Sequence, residues 1–440
     1  MAKKYDVVII GGGTSGCACA WNCGRLGLKT LLLEKNIHLG WTITSGFVVP
    51  VMKSGDNQIN TDFYNELIKY LKQIGGQVEY MGNPGWFNPE LAKIALDNMM
   101  NDAGVEVLFE VNSISPVTDS NSKYIKSIQI SLSEYNNTIY TNNILVLDNE
   151  VLSEYIETKY IVDGTGDANF CKKIGCDFLE DKIFQPMSLR FIMGGVDVKS
   201  LGKWLLKVDD DRDVTTVYTI EGVTHLSTAY TWDTNKVWNL APVFDKAVND
   251  GVLYNEDRNY FQIFTIPGMP DSVAFNCPRI VKNANPDSIS ERTDILKEAR
   301  QAIFRLSEFC KKYLKGFENA YISNIADMLG VRVSNRVKGR YIYTINDLRT
   351  GKKFDNPALI SNYPVDIHNK DKNSSVLESN GEYQLPLESL ITEKFDNVYV
   401  IGRCISADFE SQAALRVQGI CFSMGEAVAK DIYSKLNVQS

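Results

Sequence analysis

Apolar and polar positions change rhythm several times along this chain, and each change marks a structural element. Residues 6–10, DVVII, form a short and nearly continuous apolar run, the pattern of a parallel strand buried on both faces. Residues 16–26 are mostly small and predict a helix. Residues 29–35, KTLLLEK, predict the next buried strand. Asn88 then has helix N-cap chemistry, with Pro89 at the first helical position and Gly104 as the stop. VEVLFEV follows at 105–111 as another strand, so helix again precedes strand, as a parallel sheet requires.

The rhythm differs between 121 and 159, where Asn, Ser, Thr and Tyr abound and Ile125, Ile128 and Ile130 punctuate them. Antiparallel strands and loops are expected there. YIVDGTGDANF, 160–170, returns to a buried strand that ends in a glycine turn. MSLRFIMGGVDV, 187–198, reads as one strand. Residues 200–275 read as irregular aromatic segments, among them Trp204, Trp232 and Trp238. From 290 to 315, Ile295, Leu296, Ala299, Ala302, Ile303, Leu306, Phe309, Cys310 and Tyr313 keep the three-and-four spacing of an amphipathic helix, stopped by Gly316. NVYVIG, 397–402, is another parallel-type strand, and one helix is expected from about 413 to 436. Within it Gly419 and Gly425 each cost roughly 1 kcal/mol against alanine, which close packing would offset. The chain therefore reads as α/β with a parallel central sheet. Residues 1–183 and 331–440 are expected to build one unit, and 184–330 an inserted mixed α+β substrate domain.

Composition narrows the function. The 440 residues are 44% hydrophobic and 23% charged, enough to bury a sizeable core. A net charge of −8 argues against a nucleic-acid binder, which needs a basic face for phosphates. The N-terminal apolar run of four residues is too short for a signal peptide, and no stretch approaches the ~20 apolar residues of a membrane span. Nine scattered cysteines, an odd number, are expected as reduced thiols in a cytoplasmic protein. With only His38, His225 and His368, and no zinc spacing, no metal site is expected.

The chemistry begins with YDVVIIGGGTSG at 5–16. Gly11, Gly13 and Gly16 match G-x-G-x-x-G between a strand and a helix. The first glycine permits the tight turn, the second lets a pyrophosphate approach the backbone, and the third allows close helix–strand packing. The helix N-terminus at Thr14 and Ser15 offers free N–H groups to phosphate. Glu34 ends the second strand, where a carboxylate can accept from ribose hydroxyls. Together these predict a dinucleotide, and the loop alone leaves NAD and FAD open.

Later segments carry a resemblance. EKNIHLGWTITSG, 34–46, resembles the segment of glutathione-reductase-like flavoproteins that leaves the ribose and runs along the flavin, with Trp41 in place of a second glycine. DGTGDA, 163–168, resembles their strand-end glycine motif over the adenosine–pyrophosphate half of FAD. NVYVIGRCIS, 397–406, resembles the C-terminal motif near ribitol and pyrophosphate. GVRVSNRVKGRYIYTINDL, YPVDIH, LPLESLI and VIGRCISADFESQAALRVQG follow in the order seen in bacterial FAD-dependent oxidoreductases, which the chain resembles at both ends. Asn335 departs from that pattern where a second arginine is common.

The resemblance implies a Rossmann-type FAD-binding domain and places Lys35, Gly40, Thr42, Ser45, Gly46, Ser113, Gly164, Thr165, Gly166, Asp167, Gly402, Arg403, Arg416 and Val417 near the cofactor, with the residues already named. The helix after the C-terminal motif would point its positive end at the isoalloxazine. Cys404 is the thiol expected nearest to it. His368 is the candidate for proton transfer, Tyr343 its reserve, and Arg336 the member of the Arg332, Arg336, Arg340 series assigned to substrate or flavin. The expected activity is transfer of a hydride or electron pair between a small organic molecule and FAD. The acceptor is left open between oxygen and a carrier protein, since no second nucleotide fingerprint stands in mid-chain. The alternatives are a flavin-dependent RNA- or partner-modifying protein and a flavin-binding subunit without turnover.

Overall fold

The structure, a computed structural model, describes residues 3–438 except 53, 56, 118–121, 132–145, 148–149, 152, 182, 232–237, 259, 283, 369–373 and 378–380. The apolar run at the N-terminus forms β1 (Lys3–Ile10) and the small residues form α1 (Thr14–Arg25), followed by β2 (Thr30–Leu33). Asn88 caps α2 (Pro89–Asp102) as expected, its side chain accepting from Glu90 N and Leu91 N. Four further strands of the N-terminal half join the same sheet: β3 (Glu106–Leu108), β4 (Ser113–Val117), β5 (Ser127–Ser131) and β6 (Ser153–Asp163).

β1 lies between β2 and β6 and runs parallel to both, and β2 pairs in parallel with β3. β5 and β4 extend the sheet in antiparallel fashion beyond β6. Both faces are buried. Val7, Ile9 and Leu32 point into one cluster with α1, and Val8, Ile10, Leu31 and Leu33 into another with Phe170 and Cys171. That two-sided burial is why these strands show apolar runs and no alternation.

The middle of the chain corrects two expectations. Residues 187–198 are not one strand: β7 (Met187–Ser188) and β8 (Phe191–Gly194) are separated at Leu189 and Arg190 and pair with different partners. The aromatic stretch is not irregular either. β9 (Thr215–Ile220), β10 (Val223–Thr231), β11 (Tyr260–Ile266) and β12 (Met269–Phe275) form successive antiparallel pairs, joined through β8 to a further strand. After the short β13 (Arg279–Ile280) comes the long helix α3 (Ile289–Tyr313), and β14 (Tyr321–Ile325) pairs with β8 to close this six-stranded sheet. Phe244, Phe261, Phe275 and Phe309 pack edge-on or tilted against one another in its core. Trp232 lies outside the described residues.

The C-terminal segment returns to the first sheet. After β15 (Val365–His368), β16 (Val398–Val400) runs parallel to β6, so a strand from the far end of the chain completes the parallel layer. The final helix is two helices, α4 (Phe409–Leu415) and α5 (Gln418–Val438), with Arg416 and Val417 at the break. Arg416 therefore caps a short helix rather than lying in the first turns of a long one. α5 packs along α1 so closely that a Cβ on Gly425 would meet the backbone of Ser15 and Cys19. Among the described residues no helix is long and apolar enough to cross a membrane.

Candidate functional site

Three strands of the parallel layer end side by side, each in a glycine turn. After β1, Gly11 takes φ +97° and Gly12 and Gly13 lead into α1. After β6 comes Gly164, whose N–H donates to Ile10 O at 2.8 Å. After β16, Ile401 N–H donates to Asp163 O at 3.0 Å, and Gly402 turns at φ +89°. The turns touch through their glycines. A Cβ on Gly11 would lie 2.8 Å from Gly164 O, and one on Gly402 would lie 3.1 Å from Ser15 Oγ, while one on Gly16 would collide with Gly11 O. Gly13 differs: its Cβ would make only ordinary contacts, 3.8 Å from Trp41 Cβ and 3.9 Å from Gly164 O.

α1 starts at this junction. Its ladder opens with Cys17 N–H to Gly13 O at 2.9 Å, which leaves the preceding N–H groups outside the helical ladder. No acidic residue compensates its first turn, and Thr14 Oγ1 is buried with no hydrogen-bond partner among the described residues. This is the donor-rich, electropositive end that suits a pyrophosphate.

Glu34, just beyond β2, is 1% exposed. Its carboxylate accepts from Gly12 N–H (2.7 Å), Asn36 N–H (2.8 Å) and the Trp41 indole N–H (2.8 Å). Trp41 holds φ +40°, the left-handed region in which glycine is the ordinary occupant, so the substitution seen in the sequence is accommodated at some strain. Gly40 N–H donates to Gly12 O at 2.8 Å, which folds the loop through Thr42, Ser45 and Gly46 back over the first glycine turn. Lys35 lies 4.8 Å over the Trp41 ring. Lys35, Trp41 and Ser45 line a cavity of about 480 Å³ with His38, Asn112 and Asp327. Ser113 sits one residue away on β4, and Asn112 rather than Ser113 reaches the cavity.

The second turn is braced by charge. Asp163 accepts from Thr165 N–H and Oγ1 and from Cys171 N–H. Asp167 Oδ1 accepts from Arg403 Nη2 and Ser334 Oγ, both at 2.6 Å. Burial pushes the Asp167 carboxyl up, but Arg403 and Ser334 outweigh it and hold it below its ordinary value of 3.8. The Arg403 guanidinium lies against Gly166, where a Cβ would come within 3.0 Å of it and φ is +76°. Gln412, fully buried on α4, donates from Nε2 to both Arg403 O (3.0 Å) and Arg332 O (3.2 Å). Gln418 at the start of α5 donates to Val48 O at 2.7 Å.

Several assigned side chains fall elsewhere. Arg336 is buried, pairs with Asp181 and donates to Ala407 O at 3.1 Å. Burial lowers it to about 10, and Asp408 opposes the shift. Tyr343 is fully buried beside Phe354, with its hydroxyl pushed up by burial and by Tyr383 and Asp347. Both belong to the core around α4, so the geometry brings neither into the glycine junction. Cys404 lies behind the sheet with Cys171 and Phe170. The thiol that reaches the junction is Cys421, which feels Ser15, Arg403 and Arg416 and is raised by burial to about 11. His368 ends β15, and its side chain lies outside the described residues. Arg416 Nη2 donates to Asp366 O at 3.0 Å, and Val417 follows it at the helix break. Sequence reasoning missed Gln412 and Cys421. Gln412 lies in α4 and Cys421 in the first turn of α5, on either side of a break at Arg416 and Val417.

Comparison with known proteins identifies the family. A family model described as "FAD dependent oxidoreductase" matches residues 6–432. Digeranylgeranylglycerophospholipid reductase of Methanococcus vannielii is 30% identical over 69 residues, 16% of this chain and 18% of that protein. Dihydrolipoyl dehydrogenase of Bacillus subtilis is 48% identical over 50 residues, 11% of this chain and 10% of that protein. The chain thus spans less than a fifth of the length of either curated relative. A geranylgeranyl bacteriochlorophyll reductase-like protein from Thermoplasma acidophilum superposes on 100% of this chain and 80% of its own, at 14% identity and a TM-score of 0.45.

Proposed function

The chain belongs to the FAD-dependent oxidoreductase family, and from that premise we propose that it is a flavoenzyme of the glutathione-reductase-like class that moves a hydride or electron pair between a small organic substrate and FAD. The observation that carries this reading is the convergence of three strand-end glycine turns on the first turn of α1, with Glu34 beside them. Those residues fit FAD. Gly11, Gly13, Thr14, Ser15 and Gly16 would hold the pyrophosphate. Glu34, Lys35 and the lining of the 480 Å³ cavity would hold the adenosine end. Gly40, Trp41, Thr42, Ser45, Gly46, Gly402, Arg403, Arg416 and Val417 would follow the cofactor toward its reactive end. Bound there, FAD would supply the two-electron chemistry.

The chain's own residues position and screen. The open N-terminus of α1 attracts phosphate, and the Asp167–Arg403 pair locks the two later turns together. His368 is proposed to take the proton that a substrate oxygen or nitrogen loses as its carbon is oxidised. Electrons are proposed to pass between substrate and oxygen or a carrier protein in the cytoplasm, without direct use of NAD(P)H. The test is the visible spectrum of the purified protein, followed by anaerobic reduction with candidate substrates. A yellow protein with releasable FAD is expected. Stoichiometric NAD and no flavin would overturn the reading.

A further inference from the structure

Trp41 bridges two points that a dinucleotide must reach. Its Cβ lies 3.8 Å from where a Cβ on Gly13 would stand, beside the glycine assigned to the pyrophosphate. Its indole Nε1–H donates to Glu34 Oε1 at 2.8 Å, on the carboxylate assigned to the ribose. Backbone and ring are held differently. Trp41 O accepts from Thr44 N–H (3.3 Å) and Gly46 N–H (2.8 Å), and the preceding Gly40 N–H is tied to Gly12 O. The ring is held by its bond to Glu34 and by Lys35 Nζ, 4.8 Å from its centroid. Trp41 is half-buried and lines the cavity of about 480 Å³. The ring can therefore turn about its side-chain bonds toward that cavity while the loop stays in place.

Glu34 is nearly saturated. An ionised carboxylate offers about four lone-pair sites and donates nothing. Oε1 accepts from Asn36 N–H and from the indole, both at 2.8 Å, and Oε2 accepts from Gly12 N–H at 2.7 Å. Among the described residues that leaves a single site, on Oε2. Two of these donors are backbone groups of the turns themselves and cannot withdraw. The indole is the side chain among them, and it can.

An adenosine ribose presents two neighbouring hydroxyls. Whichever takes Oε2, the other finds Oε1 filled by the indole. The second hydroxyl therefore gains one hydrogen bond to the carboxylate and breaks another. A ribose with one hydroxyl fewer needs Oε2 alone and leaves the indole in place. Trp41 also stands at φ +40°, and strained residues of this kind cluster at ligand clamps. Glycine, the ordinary occupant of that region, would bring no donor to Glu34.

We propose that Trp41 sets the nucleotide selectivity of this site: its indole competes with one ribose hydroxyl for Glu34 Oε1, so a full ribose must expel the ring and a deoxyribose need not. The competition cancels the advantage that the carboxylate alone would give to a full ribose. The inference rests on the flavoenzyme reading, in which Glu34 holds the adenosine end, and it concerns how this chain admits that end.

The test starts from the full chain loaded with FAD. On dilution, Trp41→Phe, which keeps a ring and lacks the N–H, should release flavin about 10-fold more slowly than wild type, the size expected for one hydrogen bond to a charged group. The full chain freed of flavin is then titrated with ADP and with 2′-deoxy-ADP by calorimetry. Trp41→Phe should bind ADP about 10-fold more tightly than wild type does, and 2′-deoxy-ADP equally well. ADP should shift the tryptophan emission of the wild type and 2′-deoxy-ADP should not; the share of Trp41 among the six tryptophans is the part missing in Trp41→Phe. Trp41→Gly serves if Trp41→Phe does not fold, with the same expectations. An equal gain for both nucleotides, no gain for ADP, flavin release as fast as in wild type, or an emission that ADP does not move would each overturn the inference, and a flavin-loaded wild type would then leave the flavoenzyme reading standing. The expected nucleotide pattern in a protein that takes up no flavin would do the reverse. A wild-type chain that takes up neither FAD nor ADP would remove both.

Discussion

Two glycines on α5 make the same substitution a stringent experiment. In an open helix Gly→Ala stabilises by roughly 1 kcal/mol, because alanine loses less backbone freedom. At Gly425 the new methyl would meet the backbone of α1, lying 2.7 Å from Cys19 N and 3.0 Å from Ala18 Cβ, and closer still to Ser15 O. An ordinary carbon–backbone contact is about 3.3 Å, so the helices must part by at least about 0.6 Å. A gap of that size forfeits about a quarter or more of each dispersion contact along the seam. Overpacking of this kind costs typically ~1–3 kcal/mol. Backbone cannot rotate away, so Gly425→Ala should sit at the upper end, a net loss of about 2 kcal/mol after the helical gain. At Gly419 the nearest atom is the Ser54 hydroxyl, the end of a side chain whose bond to Met52 O is a long 3.4 Å. Rotation of that hydroxyl relieves the clash, so Gly419→Ala should fall within about 1 kcal/mol of wild type. The assay is urea denaturation followed by fluorescence, with bound flavin measured in parallel. Gly425→Ala should lower the midpoint and, if the start of α1 holds the pyrophosphate as proposed, the flavin content. Equal midpoints for the two variants, or a stabilised Gly425→Ala, would refute the close-packing argument.

Three other outcomes follow from the site. Gly13→Val should fold, because a Cβ there makes only ordinary contacts, the nearest at 3.8 Å, yet purify flavin-poor, because the branched side chain fills the space left for phosphate; full flavin occupancy would mean that the loop is not the cradle. Asp167→Asn should lose roughly 1–3 kcal/mol at neutral pH with its charged partners. Because the folded carboxyl is held below 3.8, the wild-type advantage is complete above that value and fades as pH falls through the depressed one, so a gap that widens in acid would contradict the pairing. His368→Ala should keep its flavin and slow reduction by the true substrate by ~10²–10⁴, with the neutral-pH inflection gone; an unchanged pH profile would make His368 structural.

What the sequence could disclose was local. The β1–turn–α1–β2 unit, the Asn88 cap and the spacing of α3 are written in adjacent residues, and all appear where the pattern puts them. The glycines of α5 also advertised their packing through their helical cost. The aromatic region was illegible because β11, YFQIFTI, is buried almost throughout and shows no alternation. Its identity as a strand depends on partners at β10 and β12. The break between α4 and α5 carries no Pro or Gly, so a continuous helix was the natural reading. Cys404 and Cys421 look equivalent in sequence, and only the direction of the chain after β16 decides which one meets Ser15.

The return of the C-terminal strand has a consequence for biosynthesis. β6 must wait for β16, whose neighbour Asn397 clasps Lys159 across 238 residues of chain. α5, which buttresses α1, is made later still. On the ribosome the first 170 residues can emerge with their glycine turns, but two of the three walls of the junction lack the third. Closing so distant a contact is slow, since the entropy of the intervening loop must be overcome before any contact rewards it. Cofactor capture is thereby postponed until β16 and α5 have been made, and a chain terminated before them would expose the edge of β6 and the flank of α1 to chaperones and proteases.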